Sequence, residues 1–207
     1  MAQYFEVHPQ TPQQRLIRRA AEIVSQGGLI VYPTDSSYAF GCQLDCKDAL
    51  ERIRRIRQLG EDHHFTLICR DLSQVSAFAK INNEAFRLIK TLTPGPYTFL
   101  LQATREVPRR LQHPKRKTIG IRLPDNAVSQ LLVAELDDPL FSSTLILPGE
   151  TDGLTDPEDI RDRVGSRVEL ILAAGVIPFA ETTIVDLTGE FPVVVRQGKG
   201  GIGLLGA

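Results

Sequence analysis

What the chain lacks narrows its chemistry first. Its 207 residues hold only three cysteines, Cys42, Cys46 and Cys69, with no CxxC pair, so a disulfide framework of the secreted kind is not expected. The four histidines, His8, His63, His64 and His113, form no HExxH, and no Cys/His spacing matches a zinc site, so no metal ligands are expected. GxxxxGK(S/T) is absent, which excludes a P-loop. GxSxG is absent too, so there is no nucleophile elbow. No apolar run reaches the length that spans a bilayer. The opening MAQYFEVHPQ lacks the basic-then-apolar order of a signal peptide. The expectation is a soluble, cytoplasmic protein with no membrane partner. No repeat, low-complexity tract or linker divides it.

What is present is the composition of a folded domain. Hydrophobic residues make up 42% and charged residues 24%, too apolar for a disordered chain. The length fits a single domain over 1–207, with its core at about 10–198. The net charge of −1 hides an asymmetry. Between Arg105 and Arg122 lie Arg105, Arg109, Arg110, Lys115, Arg116, Lys117 and Arg122 against Glu106 alone, whereas Glu135–Asp162 is acidic. Local basic clusters in a neutral protein point to a local anionic partner, or to a solvated face.

Hydrophobic spacing and breakers place the elements. Thr11-Pro12-Gln13-Gln14 reads as a capped helix start, with Leu16, Ala20 and Val24 inward and Gly27-Gly28 as its stop. A buried strand Leu29–Tyr32 follows, then a helix over Lys47–Leu59 and a strand over Phe65–Cys69. Helices are expected near 71–78 and 82–91, then a turn at Thr93-Pro94-Gly95-Pro96. Strands are expected at Tyr97–Gln102 and Thr118–Arg122. Asp125 is the expected cap of a helix to about Leu136. Leu140–Thr144 reads as a strand and Asp156-Pro157-Glu158 as a helix start. Three strands close the chain: Glu169–Leu172, Thr182–Leu187 and Val193–Arg196. Helices among short strands, with successive strands near the end, give an α+β class with a twisted mixed sheet and helices on its faces, a three-layer fold.

Four segments carry polar groups suited to an anion. Pro33-Thr34-Asp35-Ser36-Ser37-Tyr38 follows a buried strand, where loops combine a rigid base with free hydroxyls; it is equally turn chemistry. Arg55-Ile56-Arg57 ends a helix, and both arginines reach one ligand only if the helix stops there, as Gly60 suggests. Thr118, Gly120 and Arg122 share one strand face. Arg122 is expected to face a pocket and to contribute little packing, unless it pairs with an acid across the sheet. Thr182-Thr183-Ile184-Val185-Asp186 and Val193-Val194-Val195-Arg196 form a hairpin bearing hydroxyls and an arginine. Gly198-Lys199-Gly200-Gly201-Ile202-Gly203 matches GxGxxG formally, but no room remains for the helix that motif opens; it reads as a flexible tail or a closing lid. No catalytic nucleophile is evident.

Together these segments resemble the YrdC/YciO family, on its YciO side. The family's marks are P-T-D/E-S/T-x-Y, K-x-R, P-G-P-x-T, V-x-V-R-x-P, an S-A-N loop, S-T-V/I-V-D and R-x-G. Here they stand, in order, as Pro33–Tyr38, Arg55-Ile56-Arg57, Pro94–Thr98, Ile119–Pro124, Ser143–Ile146, Thr182–Asp186 and Arg196-Gln197-Gly198. The sequence departs from the pattern at Arg55, where the family has Lys, at Ile146, where it has Asn, and at Pro148, where it has Ser. About two additional residues precede Phe65.

The resemblance implies a single-domain fold with a concave basic cleft. Active members make L-threonylcarbamoyl-AMP from L-threonine, bicarbonate and ATP, a nucleotidyl transfer that serves t6A modification of tRNA. By resemblance Thr34, Arg122 and Thr182 would hold the threonine, with Arg57 and Arg122 positioning. Arg55, Arg57, Thr118, Ser142, Thr144 and Arg196 would hold the nucleotide, and Mg²⁺ would arrive with the ATP. The alternative is a diverged relative that binds double-stranded RNA, tRNA or nucleotide with little or no synthesis.

Overall fold

Alternation and burial build a sheet of eleven strands among the described residues of a computed structural model, which are 1–60, 63, 65–203 and 205. His64 lies outside them. In chain order the elements are β1 (Gln3–Glu6), α1 (Gln14–Ser25), β2 (Ile30–Pro33), β3 (Tyr38–Gln43), α2 (Lys47–Arg57), β4 (Thr66–Ile68), α3 (Leu72–Phe78), β5 (Ala79–Lys80), α4 (Asn83–Leu92), β6 (Tyr97–Ala103), β7 (Thr118–Arg122), α5 (Ala127–Ala134), β8 (Leu140–Thr144), α6 (Pro157–Val164), β9 (Leu170–Ala173), β10 (Thr183–Asp186) and β11 (Val193–Arg196). The spatial order is β1-β9-β2-β3-β8-β4-β7-β6-β10-β11, with β5 on β6. Pairs β1·β9, β2·β9, β4·β7 and β6·β10 are parallel and the rest antiparallel. The sheet is therefore mixed, and the fold is a single-domain α/β arrangement of three layers.

Two apolar clusters fill the two faces. On one, Val31, Phe40, Leu67, Phe99, Ile121, Phe141 and Val185 meet α2, α3, α4 and α6 through Ile53, Val75, Ile89 and Ile160. On the other, Ile30, Tyr32, Ile68, Leu140 and Leu170 meet α1 and α5 through Ile17, Val24, Val128 and Leu132. This second cluster stops at Ile68 and Leu140. Beyond them the same face carries Ser142, Thr66, Gly120 and Leu100, aligned across β8, β4, β7 and β6. Among the described residues no helix covers that half, and the candidate site lies there.

The turns differ from the sequence expectation in instructive ways. Thr11 does not cap α1: its amide and hydroxyl both bond His8 Nδ1, at 3.0 and 2.9 Å, and the helix starts three residues later behind Gln13. Asn126, not Asp125, caps α5 by accepting from Ser129 N–H at 3.0 Å. Gln58, in the left-handed region at φ 52°, ends α2 ahead of Gly60. The expected core began at about residue 10, yet β1 pairs with β9 from Gln3 onward.

Gly120 sits where a side chain would fill the floor. A Cβ there would lie 2.8 Å from Thr66 Oγ1 and 3.0 Å from the Phe65 carbonyl. Gly120→Ala should therefore lower the unfolding free energy by about 1–3 kcal/mol, read from urea denaturation at constant m-value.

Candidate functional site

The uncovered half-face forms a cleft of about 410 Å³ lined by eight hydroxyl side chains and four arginines, with Leu100, Ile146, Phe179, Ile184 and Val195 among the apolar groups between them. One wall begins at the turn between β2 and β3. Thr34 Oγ1 donates to the Ser37 carbonyl at 2.8 Å and accepts from the Ser36 and Ser37 amides, both at 3.2 Å. Such side-chain-to-backbone bonds fix a tight turn. The turn carries Ser36 and Ser37 into the cleft lining and points Asp35 at β7. Asp35 Oδ1 accepts from Arg122 Nη2 at 2.5 Å, and Oδ2 from the Asp125 amide at 2.9 Å. The two side chains are 6% and 7% exposed. Arg122 is thus a buried ion-pair partner as well as a cleft residue, which corrects the expectation that it adds little to the fold. Its Nε is buried with no partner among the described residues.

The second wall comes from α2 and β8. Arg57 Nη1 donates to Ser143 Oγ at 2.6 Å and its Nε to the Ile146 carbonyl at 3.2 Å. Both acceptors are neutral, and no carboxylate pairs with Arg57 among the described residues. Burial pulls its pKa down to about 10. A half-buried cation held this way is short of negative charge. Ser142 Oγ is bonded to Tyr32 Oη at 2.6 Å, and burial pushes that phenol up.

The third wall is the hairpin β10–β11 against β6. Thr98 Oγ1 and Thr182 Oγ1 are 2.8 Å apart. Arg196 Nη2 donates to the Thr182 carbonyl at 3.0 Å, and its Nη1 pairs with Glu181 at 2.6 Å. Arg116, from the basic stretch, reaches over and pairs with Asp186 at 2.5 Å. Four arginines therefore line the cleft, and three of them carry a carboxylate partner.

The structure gathers Arg57, Arg122, Ser142, Thr144, Thr182 and Arg196 in this lining. It separates three other candidates. Arg55 points to a different concavity with Arg163 and Arg167, because residues two apart on a helix face different ways. Thr118 is on the Arg122 face but buried away from the lining, its hydroxyl unpartnered among the described residues. Thr34 is buried beneath the turn that it fixes. Missed were Thr66, Arg116, Ser143, Phe179 and Glu181, whereas Ile146, singled out as the departure at the Asn position of the family pattern, does stand in the lining. Thr66 is a single hydroxyl in an apolar strand, and only the missing helix cover makes it a site residue, whereas Ser143 stands between two other hydroxyls on the opposite face of β8 and joins the site through Arg57 Nη1.

Chemically, the lining offers guanidinium and hydroxyl groups of the kind that suit anions. No cysteine lines it, and burial pushes the Cys69 thiol up to about 12 and that of Cys42 higher still, away from the range of a nucleophilic thiolate. Among the described residues no cluster of His, Cys, Asp and Glu could hold a metal ion, and Glu181 is the one carboxylate in the lining. That donor set suits a magnesium ion carried on phosphates rather than one held by the protein.

Residues 22–198 match the family Sua5/YciO/YrdC, described as "Telomere recombination". The chain belongs to this family. It is 54% identical over 202 residues to the protein YciO of Escherichia coli (strain K12), covering 98% of each, and the crystal structure of E. coli YciO superposes with a TM-score of 0.95 over 99% of this chain and 100% of that one. A threonylcarbamoyl-AMP synthase of Vibrio vulnificus (strain YJ016) is 29% identical over 159 residues, 75% of this chain and 84% of that protein. The structure of P. abyssi Sua5 complexed with L-threonine is 25% identical with a TM-score of 0.86, covering 94% of this chain and 57% of Sua5. Among the described residues of this Sua5/YciO/YrdC protein, no helix is long and apolar enough to cross a membrane.

Asp186 offers a test of how the rim is held. Desolvation raises its pKa, but bonds from the Thr188 hydroxyl and amide and from Arg116 prevail and hold it low. A depressed carboxylate stabilises the fold above its unfolded pKa, and that contribution disappears as pH falls through the folded value. Asp186→Asn should therefore be less stable than the parent at pH 7, with the gap in urea midpoint closing as pH falls below the unfolded carboxylate value and through the folded one.

Proposed function

We propose that the cleft binds L-threonine and ATP and that the protein forms L-threonylcarbamoyl-AMP. The observation that carries this reading is the unused cationic capacity of the lining: Arg57 has only neutral partners, and Arg122 keeps a buried Nε–H with none. Guanidinium groups so placed suit carboxylate and phosphate oxygens. The relatives supply the substrate class, since one is named a threonylcarbamoyl-AMP synthase and another was solved with L-threonine.

In this reading Arg122, Ser36 and Thr182 receive the amino acid, beside the Thr34 turn. Arg57, Ser142, Ser143, Thr144 and Arg196 receive the nucleotide. The amino group of threonine takes up bicarbonate with loss of water to give a carbamate. A carbamate oxygen then bonds to the α-phosphorus of ATP, the bond from that phosphorus to the bridging oxygen breaks, and pyrophosphate leaves with the electron pair. The protein needs no nucleophile for this; it must align two anions and offset charge developing at phosphorus. Magnesium bound to the triphosphate would add further charge neutralisation. Arg57 is the group suited to follow charge from ground state to transition state, because no carboxylate holds it back.

A second reading is favoured by Ile146. It stands in the cleft lining where the family pattern has Asn, and an alkyl group donates no hydrogen bond to a nucleotide. On that reading the protein binds RNA or nucleotide through Arg57, Arg116 and the 105–117 stretch without synthesis.

The deciding experiment supplies purified protein with ATP, Mg²⁺, L-threonine and bicarbonate, omitting threonine as control. Threonine-dependent L-threonylcarbamoyl-AMP and pyrophosphate are expected. Arg57→Met should cut the rate by about 100-fold without lowering the thermal midpoint, because it strands no buried carboxylate. No product from folded parent protein would reject synthesis and leave the second reading.

A further inference from the structure

The run Gly198–Gly203 is neither a dinucleotide fingerprint nor a loose tail. Its backbone is fastened to the sheet at four points. Gly198 N–H donates to Thr183 Oγ1 at 3.0 Å, and that hydroxyl donates on to the Gly200 carbonyl at 2.6 Å. Lys199 N–H donates to the Glu181 carbonyl at 2.8 Å, and Tyr97 Oη to that of Gly201 at 2.8 Å. The glycines permit this closeness: a Cβ on Gly198 would lie 2.3 Å from the Glu181 carbonyl, and one on Gly200 would lie 2.5 Å from the Tyr97 ring. Lys199 is thereby pinned between two glycines that cannot move off, although its own side chain is exposed.

That side chain crosses to the cleft mouth, where Lys199 Nζ donates to the Asp35 carbonyl at 2.6 Å. Three carbonyls of the turn it reaches are engaged. Ser37 O is taken by Thr34 Oγ1 and Ser36 O by the Ala180 amide at 2.8 Å. Asp35 O is taken by a residue 164 positions away. Fixing a long exposed lysine costs conformational entropy, and a charge-assisted bond offsets it. The acceptor is a carbonyl and not the Asp35 carboxylate, so Lys199 secures the turn without drawing that carboxylate away from Arg122.

We propose that Lys199 is a positioning residue of the cleft, delivered by the glycine strap to hold the Asp35 turn and, through Asp35, the guanidinium of Arg122. The proposal rests on the reading of this cleft as the ligand site. Asp35 is then gripped from three sides, by Arg122, by the Asp125 amide and by Lys199. With the Lys199 grip removed, the peptide between Asp35 and Ser36 keeps only the long Ser36 N–H bond to Thr34 Oγ1 at 3.2 Å, and the ion pair changes its aim.

Hydrogen exchange on the ligand-free protein tests the grip, and calorimetry with L-threonine tests its use. In Lys199→Ala the amides of Ser36, Ser37 and Asp125 should exchange about tenfold faster, with those of β2 and β9 unchanged because the strap's backbone bonds remain. L-threonine affinity should fall by a similar factor, and Lys199→Arg should restore both. Parental exchange rates in Lys199→Ala overturn the proposal whether or not threonine binds. Faster exchange with unaltered threonine affinity overturns it too, leaving Lys199 a purely structural tie. If the parent protein binds no L-threonine, the substrate assignment fails separately, and the exchange rates alone judge the grip.

Discussion

A buried ion pair between Asp35 and Arg122 governs the arrangement of this protein. Two charges removed from water destabilise a fold unless their remaining hydrogen-bonding groups are met. Asp35 meets that demand with the Asp125 amide on its second oxygen, whereas Arg122 leaves one donor over. The pair bolts the β2–β3 turn to the end of β7, two segments that no backbone ladder joins. Loss of either partner would strand the other in a buried setting. The same contact is therefore both a brace for the fold and one edge of the cleft.

The position of that site follows from how little of the sheet the helices cover. On one face four helices pack nearly its whole width. On the other, α1 and α5 suffice only for the half around β9, β2 and β3. A sheet face left uncovered must become polar or find a partner. Here it becomes polar, with Thr66, Ser142 and Arg122 replacing the alkyl groups of the neighbouring strands and Gly120 keeping the floor low. The depth of the cleft is thus set by one missing side chain, and its charge by arginines that arrive from a helix end, two strands and a loop.

Much of this was legible in the residues. The strands Thr118–Arg122, Leu140–Thr144 and Val193–Arg196 and the helix after Asp156 stand as their patterns foretell, because alternation and capping act locally. The strand Tyr38–Gln43 left no such mark: it is buried on both faces and reads as a continuation of the polar turn before it. Thr11 and Asp125 look like caps, but each is engaged by a distant or neighbouring side chain, His8 or Asp35, that no local rule supplies. At the site, Arg57, Arg122, Thr182 and Arg196 were legible as guanidinium and hydroxyl groups at strand and helix ends. Arg55 misled because a family motif pairs it with Arg57, whereas helical geometry sends the two apart. Thr66 was unreadable, since a lone hydroxyl in an apolar strand gains meaning only from what lies above it, and the part of Ser143 depends on the Arg57 side chain that α2 brings to it.

The hairpin β10–β11 is the margin of the sheet, with β11 paired on one side only and Val193 and Val195 open to solvent. It nevertheless carries Thr182, Ile184, Val195 and Arg196 of the cleft. An anion bridging Arg196 to Arg57 or Arg122 would tie this edge strand to the centre of the molecule. Occupancy would then act as a splint: the bound ligand, by mass action, would keep an adhesive valine edge from peeling away and pairing with other chains.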